Sequence, residues 1–355
     1  MRIPAFHEFF PPSLYRRAAR WGRAILASPE RHRKYGERLA TEQAIFENNV
    51  DVHQLPPIFH YWSNRYLRPK CEGFGFSHPD DFFAVHLART VVPGRRARFL
   101  SIGAGNCDTE VRVAKLLLER GVRDFSVECV DLNEAMLARG RALAAAEGLS
   151  GQIITTAADF NDWVPEGRFD AVMANQSLHH VVALEHLFET IARCMAPHAL
   201  FMASDMIGRN GHQRWPEALA IVRGFWRELP ESYRYNLQTR RQESEFVDWD
   251  CSVSGFEGIR AQDILRLLVE RFEFDLFLPF ANVIDPFIDR SFGHHFDPQA
   301  EWDRGFIDRV HARDEEEMAR GHLTPTHMMA VMCVGRHGEG RFLDGKPPGS
   351  CIRLP

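Results

Sequence analysis

The chain has 355 residues, 45% of them hydrophobic and 26% charged, with a formal net charge of −5. Such a composition suits a globular protein with a sizeable buried core, and its acidic balance supplies no overall basic field for nucleic acid. Its seven cysteines are scattered without a Cys-x-x-Cys pair, so neither a zinc site of that kind nor a disulfide framework is expected.

In chain order, residues 1–95 read as helices and loops rich in aromatics. The opening "MRIPAFHEFFPPSLYRRAAR" lacks the apolar stretch of a signal peptide, and no run is long enough to span a bilayer. Lone thiols fit a reducing compartment, so a cytoplasmic protein is expected. "SLYRRAARWGRAILASPERHRKYGER" predicts a basic, solvated helix. "IFHYWSNRY" carries Phe59, Tyr61, Trp62 and Tyr66, and "DDFFAVHLART" predicts a short helix that stops near Pro93-Gly94. From residue 96 the pattern alternates. "ARFLSI", "FSVECV", "GQIITTA", "FDAVMAN" and "ALFMAS" predict strands, while "DTEVRVAKLLLERG", "EAMLARGRALAAAEG" and "LEHLFETIARCM" predict helices. Strands alternating with helices imply an α/β fold, a mostly parallel sheet covered on both faces. Residues 96–208 are therefore expected to form the core, 209–256 a cap insertion after strand five, and 257–335 the rest of the core, with two last strands. A long irregular loop at 284–325 and a flexible tail at 336–355 complete the expectation.

The stretch "FLSIGAGNCDTEV", residues 99–111, lies where a doubly wound sheet binds nucleotides, after the first strand and at a helix N-terminus. Gly103 and Gly105 allow tight turns without side-chain bulk, and the opening N–H groups of the helix favour an anion. Asp108 stands where the dinucleotide fingerprint needs its third glycine, which disfavours a nicotinamide cofactor. Asp131 ends the second strand, where a carboxylate can take both hydroxyls of a ribose.

Together, "LSIGAGNCDTE", "CVDLNEAML", "AADFNDW" and "FDAVMANQSLHHV" resemble the successive motifs of class I S-adenosylmethionine-dependent methyltransferases. The resemblance covers about 97–208 and implies a Rossmann-like sheet and S-adenosyl-L-methionine as cofactor. It implies that Gly103, Ala104, Gly105 and Asn106 cradle the methionine part. Asp131, with Leu132 beside it, would hold the ribose, and Asp159, with Phe160, the adenine amino group. Asn175 and Gln176 would face the sulfonium. Ser101 departs from the family, which often has an acid at that position; Asp108, Glu110 or a water is left to meet the methionine amino group.

Methyl transfer from a sulfonium requires alignment and exclusion of water. A base is needed only where the nucleophile carries a proton. His179, in "SLHHV" after the fourth strand, is the candidate catalytic residue; His180 and Asp205 are close in sequence to the same strand ends, and His294-His295 lie in the long loop. No metal is expected, because Asn175 is an amide where a catechol-type enzyme uses acids. The absence of an Asn/Asp-Pro-Pro-aromatic motif after strand four and of any Pro-Cys pair disfavours nucleic-acid acceptors. The expected function is methyl transfer to oxygen or nitrogen of a small organic acceptor, a secondary metabolite or sugar-derived compound, under a lid formed by 1–95 and 209–256. A protein methyltransferase or a catalytically silent partner subunit are the alternatives. The sequence does not speak to oligomeric state.

Overall fold

The computed structural model describes residues 35–41, 55–253, 255–335 and 338–354. Most of the basic stretch expected as a solvated helix, 13–34, lies outside the described residues; 35–41 is helical. The five apolar runs form β1 (Ala97–Ile102), β2 (Phe125–Asp131), β3 (Ile153–Ala157), β4 (Phe169–Asn175) and β5 (Met195–Met206). A two-residue hairpin, β6 (Tyr235–Asn236) and β7 (Arg241–Gln242), stands apart. The later strands are β8 (Glu273–Phe280), β9 (His327–Cys333) and β10 (Arg341–Phe342). The large sheet has the order β10-β8-β9-β5-β4-β1-β2-β3. β1 to β5 are parallel, and β9 runs antiparallel to both β5 and β8. This is the expected Rossmann-like α/β sheet with an antiparallel addition.

Each strand alternates its side chains between two apolar layers. Phe99, Val127, Met173 and Val331 face one layer; Leu100, Val130, Val172 and Ala330 face the other. Burial on both faces explains why the strands read as continuous apolar runs instead of alternating ones. Helices α1 (Pro57–Trp62, continued through a widened turn to Arg68–Gly73), α2 (Pro79–Arg89), α3 (Asp108–Glu119) and α4 (Glu134–Ala146) come first. They contribute Trp62, Phe82, Phe83, Val113 and Leu137 to the first layer. Helices α5 (Leu184–Cys194) and α7 (Ala261–Arg271) contribute Leu187, Ile191, Ile264 and Leu268 to the second; α6 (Pro216–Glu228) lies between them in sequence. Among the described residues no helix is long and apolar enough to cross a membrane.

Two expectations are corrected. The segment 284–325 is largely ordered helix: a turn at Asp285–Ile288 precedes α8, the nineteen-residue helix Glu301–Ala319. Its buried face mixes Phe306, Ile307 and Val310 with Asp303, His311, Asp314 and Glu317, so the sequence lacks a clear apolar stripe. Helix α1 packs against it: Trp62 Nε1 donates to His311 Nδ1 (3.2 Å), and the hydroxyls of Tyr61 and Tyr66 donate to Asp308. Nor do the described residues of 336–355 behave as a flexible tail. β10 pairs with Leu276 and Phe277, Cys351 is buried, and Arg353 pairs with Glu217 and lies over the ring of Trp215.

In the sheet, β1 has β2 on one side and β4 on the other, so the chain order reverses at β1. The ends of β1, β2 and β4 thus bound the crevice where open α/β sheets bind ligands.

Candidate cofactor and acceptor site

The glycine loop leaves β1 at Gly103 with φ of 71°. A Cβ there would come 2.3 Å from Ser177 Cβ. The glycine is required because the loop after β4 packs directly on it, with the Ser177 hydroxyl donating to the Ile102 carbonyl (2.7 Å). Asp131 ties the next loop in place. Its Oδ2 accepts the Gly105 N–H and its Oδ1 the Asn133 N–H, each at 2.8 Å. Asp159 accepts the Asn161 N–H and the Tyr35 hydroxyl, the latter at 2.7 Å. Asn175 donates to Thr109 Oγ1, and Gln176 has φ of 52°. The predicted residues Gly103, Ala104, Gly105, Asn106, Asp131, Leu132, Asp159, Phe160, Asn175, Gln176 and His179 all line one cavity. Its volume is about 1080 Å³, just above the roughly 300–1,000 Å³ of a single-ligand pocket.

Glu110 lies on α3, is buried, and its Oε1 accepts the Ser101 hydroxyl at 2.6 Å. A carboxylate thus stands against Ser101, the position where the family often has an acid. Glu110 Oε2 is buried with no hydrogen-bond partner among the described residues. Burial pushes its pKa up to about 7, against the Ser101 bond that lowers it.

The same cavity holds a second cluster. His179 follows β4 in a short 3-10 turn and is buried. Its Nδ1 lies 2.6 Å from Oδ1 of the fully buried Asp205, at the end of β5. Asp205 also accepts the N–H groups of Ser177, Leu178 and Met206, which fix the carboxylate. On the other edge of the ring, His179 Nε2 is 3.4 Å from Glu257 Oε1, and His212 Nε2 is 2.7 Å from the same oxygen. Burial opposes charge on His179, but Asp205 and Glu257 outweigh it and push its pKa up to about 10. Burial lowers that of His212 despite Glu257. Sequence reasoning missed His212 and Glu257. They lie 33 and 78 residues after His179 in the numbering, and only the fold joins them; the glycines beside them, Gly211 and Gly258, were the available signal. His294 and His295 belong elsewhere: His295 Nε2 bonds the Tyr235 carbonyl.

A family model described as a methyltransferase domain matches residues 99–198, the stretch from within β1 into the start of β5. Residues 99–198 thus carry a class I S-adenosylmethionine-dependent methyltransferase domain. It is 31% identical over 144 residues to a trans-aconitate 2-methyltransferase of Acidovorax sp. (strain JS42), covering 40% of this chain and 50% of that protein. It is 24% identical over 194 residues to a 27-O-demethylrifamycin SV methyltransferase of Amycolatopsis mediterranei (strain S699), covering 50% and 69%. The chain thus spans about half the length of the first of these relatives. A solved O-methyltransferase from a trans-AT PKS multienzyme of Brevibacillus brevis aligns over 80% of this chain and 82% of its own, at 12% identity and a TM-score of 0.44.

The family's cofactor is S-adenosylmethionine, and the residues present fit it. Its methionine part carries an ammonium group, and Glu110 offers a buried carboxylate oxygen that lacks a partner. Leaving such a group unsatisfied is costly, so a cationic ligand is its natural complement.

Proposed function

We propose that this methyltransferase acts on an oxygen or nitrogen atom of a small organic acceptor held in the cavity beside the cofactor. One observation carries the reading: the His179 cluster and the cofactor loops line the same chamber. Its lining includes aromatics, with Phe59 and Trp62 from α1, Phe246 from the cap, Phe280 at the end of β8 and Phe292 beyond it; Asn236, Asn282 and Arg214 add polar points. A chamber of that lining suits an organic molecule with a few polar groups. The two sequence relatives bear the names of methyltransferases for trans-aconitate and demethylrifamycin, both small molecules.

In this reading 96–208 holds the cofactor. The N-terminal segment, the 209–256 insertion and the segment after β8 close the acceptor side. Asp131 with Leu132 holds the ribose, Asp159 with Phe160 the adenine, and Gly103 to Asn106 the methionine part, whose ammonium meets Glu110. Asn175 and Gln176 border the sulfonium. When bound, the cofactor supplies a methyl group already activated by positive charge on sulfur. The chain's part is to align the acceptor and exclude water. His179, its ring fixed by Asp205 and its Nε2 left toward Glu257 in the chamber, is the proposed catalytic residue that positions the acceptor's nucleophilic atom.

Glu110 gives a pH signature. Pairing with the ammonium requires the ionised carboxylate, and burial holds its pKa near 7. Cofactor affinity is therefore expected to rise by up to about tenfold per pH unit below 7 and to level off between 7 and the amine's own pKa of roughly 7.7–8.0. Calorimetry of Glu110→Gln should show weaker binding and a flat profile over the same range. A wild-type profile without slope would remove Glu110 from the ammonium site.

The acceptor class is tested with isotopically labelled methyl donor and metabolite pools freed of protein. Label is expected in low-mass organic products. Label confined to added proteins would replace the reading by a protein methyltransferase, and no transfer to any pool would favour a silent cofactor-binding subunit.

A further inference from the structure

We propose that His179, His212 and Glu257 form a binding site for a divalent first-row transition-metal ion that takes the acceptor's oxygen as its next ligand. Among the described residues, these three offer ligand atoms that all lie within 4.8 Å of one another. An ion held by nitrogen at about 2.0–2.1 Å in tetrahedral geometry sets its ligands roughly 3.3 Å apart. Two of the separations here, 2.7 and 3.4 Å, bracket that value. Two imidazoles and one carboxylate are a ligand set that suits zinc and non-haem iron, and such catalytic sites keep a position open. All three residues line the chamber, so the open side faces the acceptor.

The surroundings are those of a held ligand set. Asp205 fixes Nδ1 of His179 at 2.6 Å and leaves Nε2 for the ion, the carboxylate–histidine–metal arrangement. His212 sits at φ of 54°, in the left-handed region that non-glycine residues seldom adopt. Strain of that kind persists where surrounding structure enforces it. Here the Gly211 N–H donates to the Gly258 carbonyl at 2.8 Å, and a Cβ on Gly258 would come 3.0 Å from the His212 ring. The loops after β5 and before α7 are thus shaped to bring His212 and Glu257 together.

This deepens the acceptor reading above and rests on it only for what the ion does. An acceptor hydroxyl that binds the ion passes its proton to the water it displaces there, and that water leaves as hydronium before methyl transfer. Its oxygen then bonds the methyl carbon as the carbon–sulfur bond breaks, and that bond's electron pair stays on the sulfur of S-adenosylhomocysteine. The acceptor is accordingly an oxygen nucleophile.

The test uses the full chain, stripped with chelator and dialysed against Zn²⁺, with metal content measured by mass spectrometry and Co²⁺ binding by visible absorption. One ion per chain is expected. His212→Ala and Glu257→Gln should each weaken binding at least about tenfold, and Asp205→Asn by about 10–100-fold, as an orienting partner does. Cofactor binding by calorimetry, which uses other residues, should stay within a few-fold and reports that each variant is folded; His212→Gln serves where His212→Ala fails that check. A wild type that retains no stoichiometric ion, or variants that retain it equally, overturns the site. Failure of the acceptor reading would show separately, as a metal-loaded enzyme that labels no low-mass product.

Discussion

Replacing His179 is expected to lower kcat by about 10²-fold or more, the cost of an acceptor misplaced against the methyl group. Affinity for S-adenosylmethionine should change by no more than a few-fold, because the ring lies on the acceptor side of the chamber while Asp131, Asp159 and Glu110 are untouched. The choice of substitution matters. His179→Ala leaves Asp205 fully buried without its charged partner, and breaking a buried pair costs about 3–5 kcal/mol. His179→Gln retains an N–H donor for Asp205 and separates loss of catalysis from loss of fold. Turnover of labelled methyl donor by a folded His179→Gln protein at the wild-type rate would remove His179 from the reaction.

Asp131→Ala is expected to weaken cofactor binding at least tenfold. Each ribose hydroxyl bonded to the carboxylate contributes roughly 1.5–3 kcal/mol, and two such bonds are proposed. The same carboxylate accepts the Gly105 and Asn133 N–H groups, so its removal also frees the loop that meets the methionine part. Asp131→Asn keeps one acceptor oxygen and should fall between wild type and alanine. NADH should bind none of the three proteins, since no third glycine brings the helix against a pyrophosphate. Calorimetry showing equal S-adenosylmethionine affinity in wild type and Asp131→Ala would contradict the ribose assignment.

The parts of this molecule that could be read from sequence are those set by local, repeated physics. β1 to β5 were legible because burial on both faces makes each an unbroken apolar run. The residues proposed to hold the cofactor could be brought to one cavity from sequence because they sit at strand ends, at fixed offsets from those runs. Helix α8 was not, because Asp303, Asp314 and Glu317 on its inner face read as solvated charges. Asp314 is instead fully buried and accepts the N–H groups of Asn282, Val283 and Ile284, closing the end of β8's loop. The tail read as loose because its glycines and prolines hide the two residues that add β10 to the sheet edge. His212 and Glu257 were invisible for a different reason: neither belongs to a periodic element, and their approach to His179 depends on two glycine-shaped loops meeting. Glu110 lies between these cases. Its position beside the missing acid was noticed, but only the fold shows which of the nearby acids reaches Ser101.

The geometry proposed for the site is tested most directly by a crystal structure of the full chain with S-adenosylmethionine bound. The expected result has the ribose hydroxyls on Asp131, the ammonium against Glu110 Oε2, and the sulfonium methyl directed between Asn175 and His179 into the aromatic chamber. A cofactor whose methyl group points away from the His179 cluster, or whose ammonium leaves Glu110 unpaired, would contradict it.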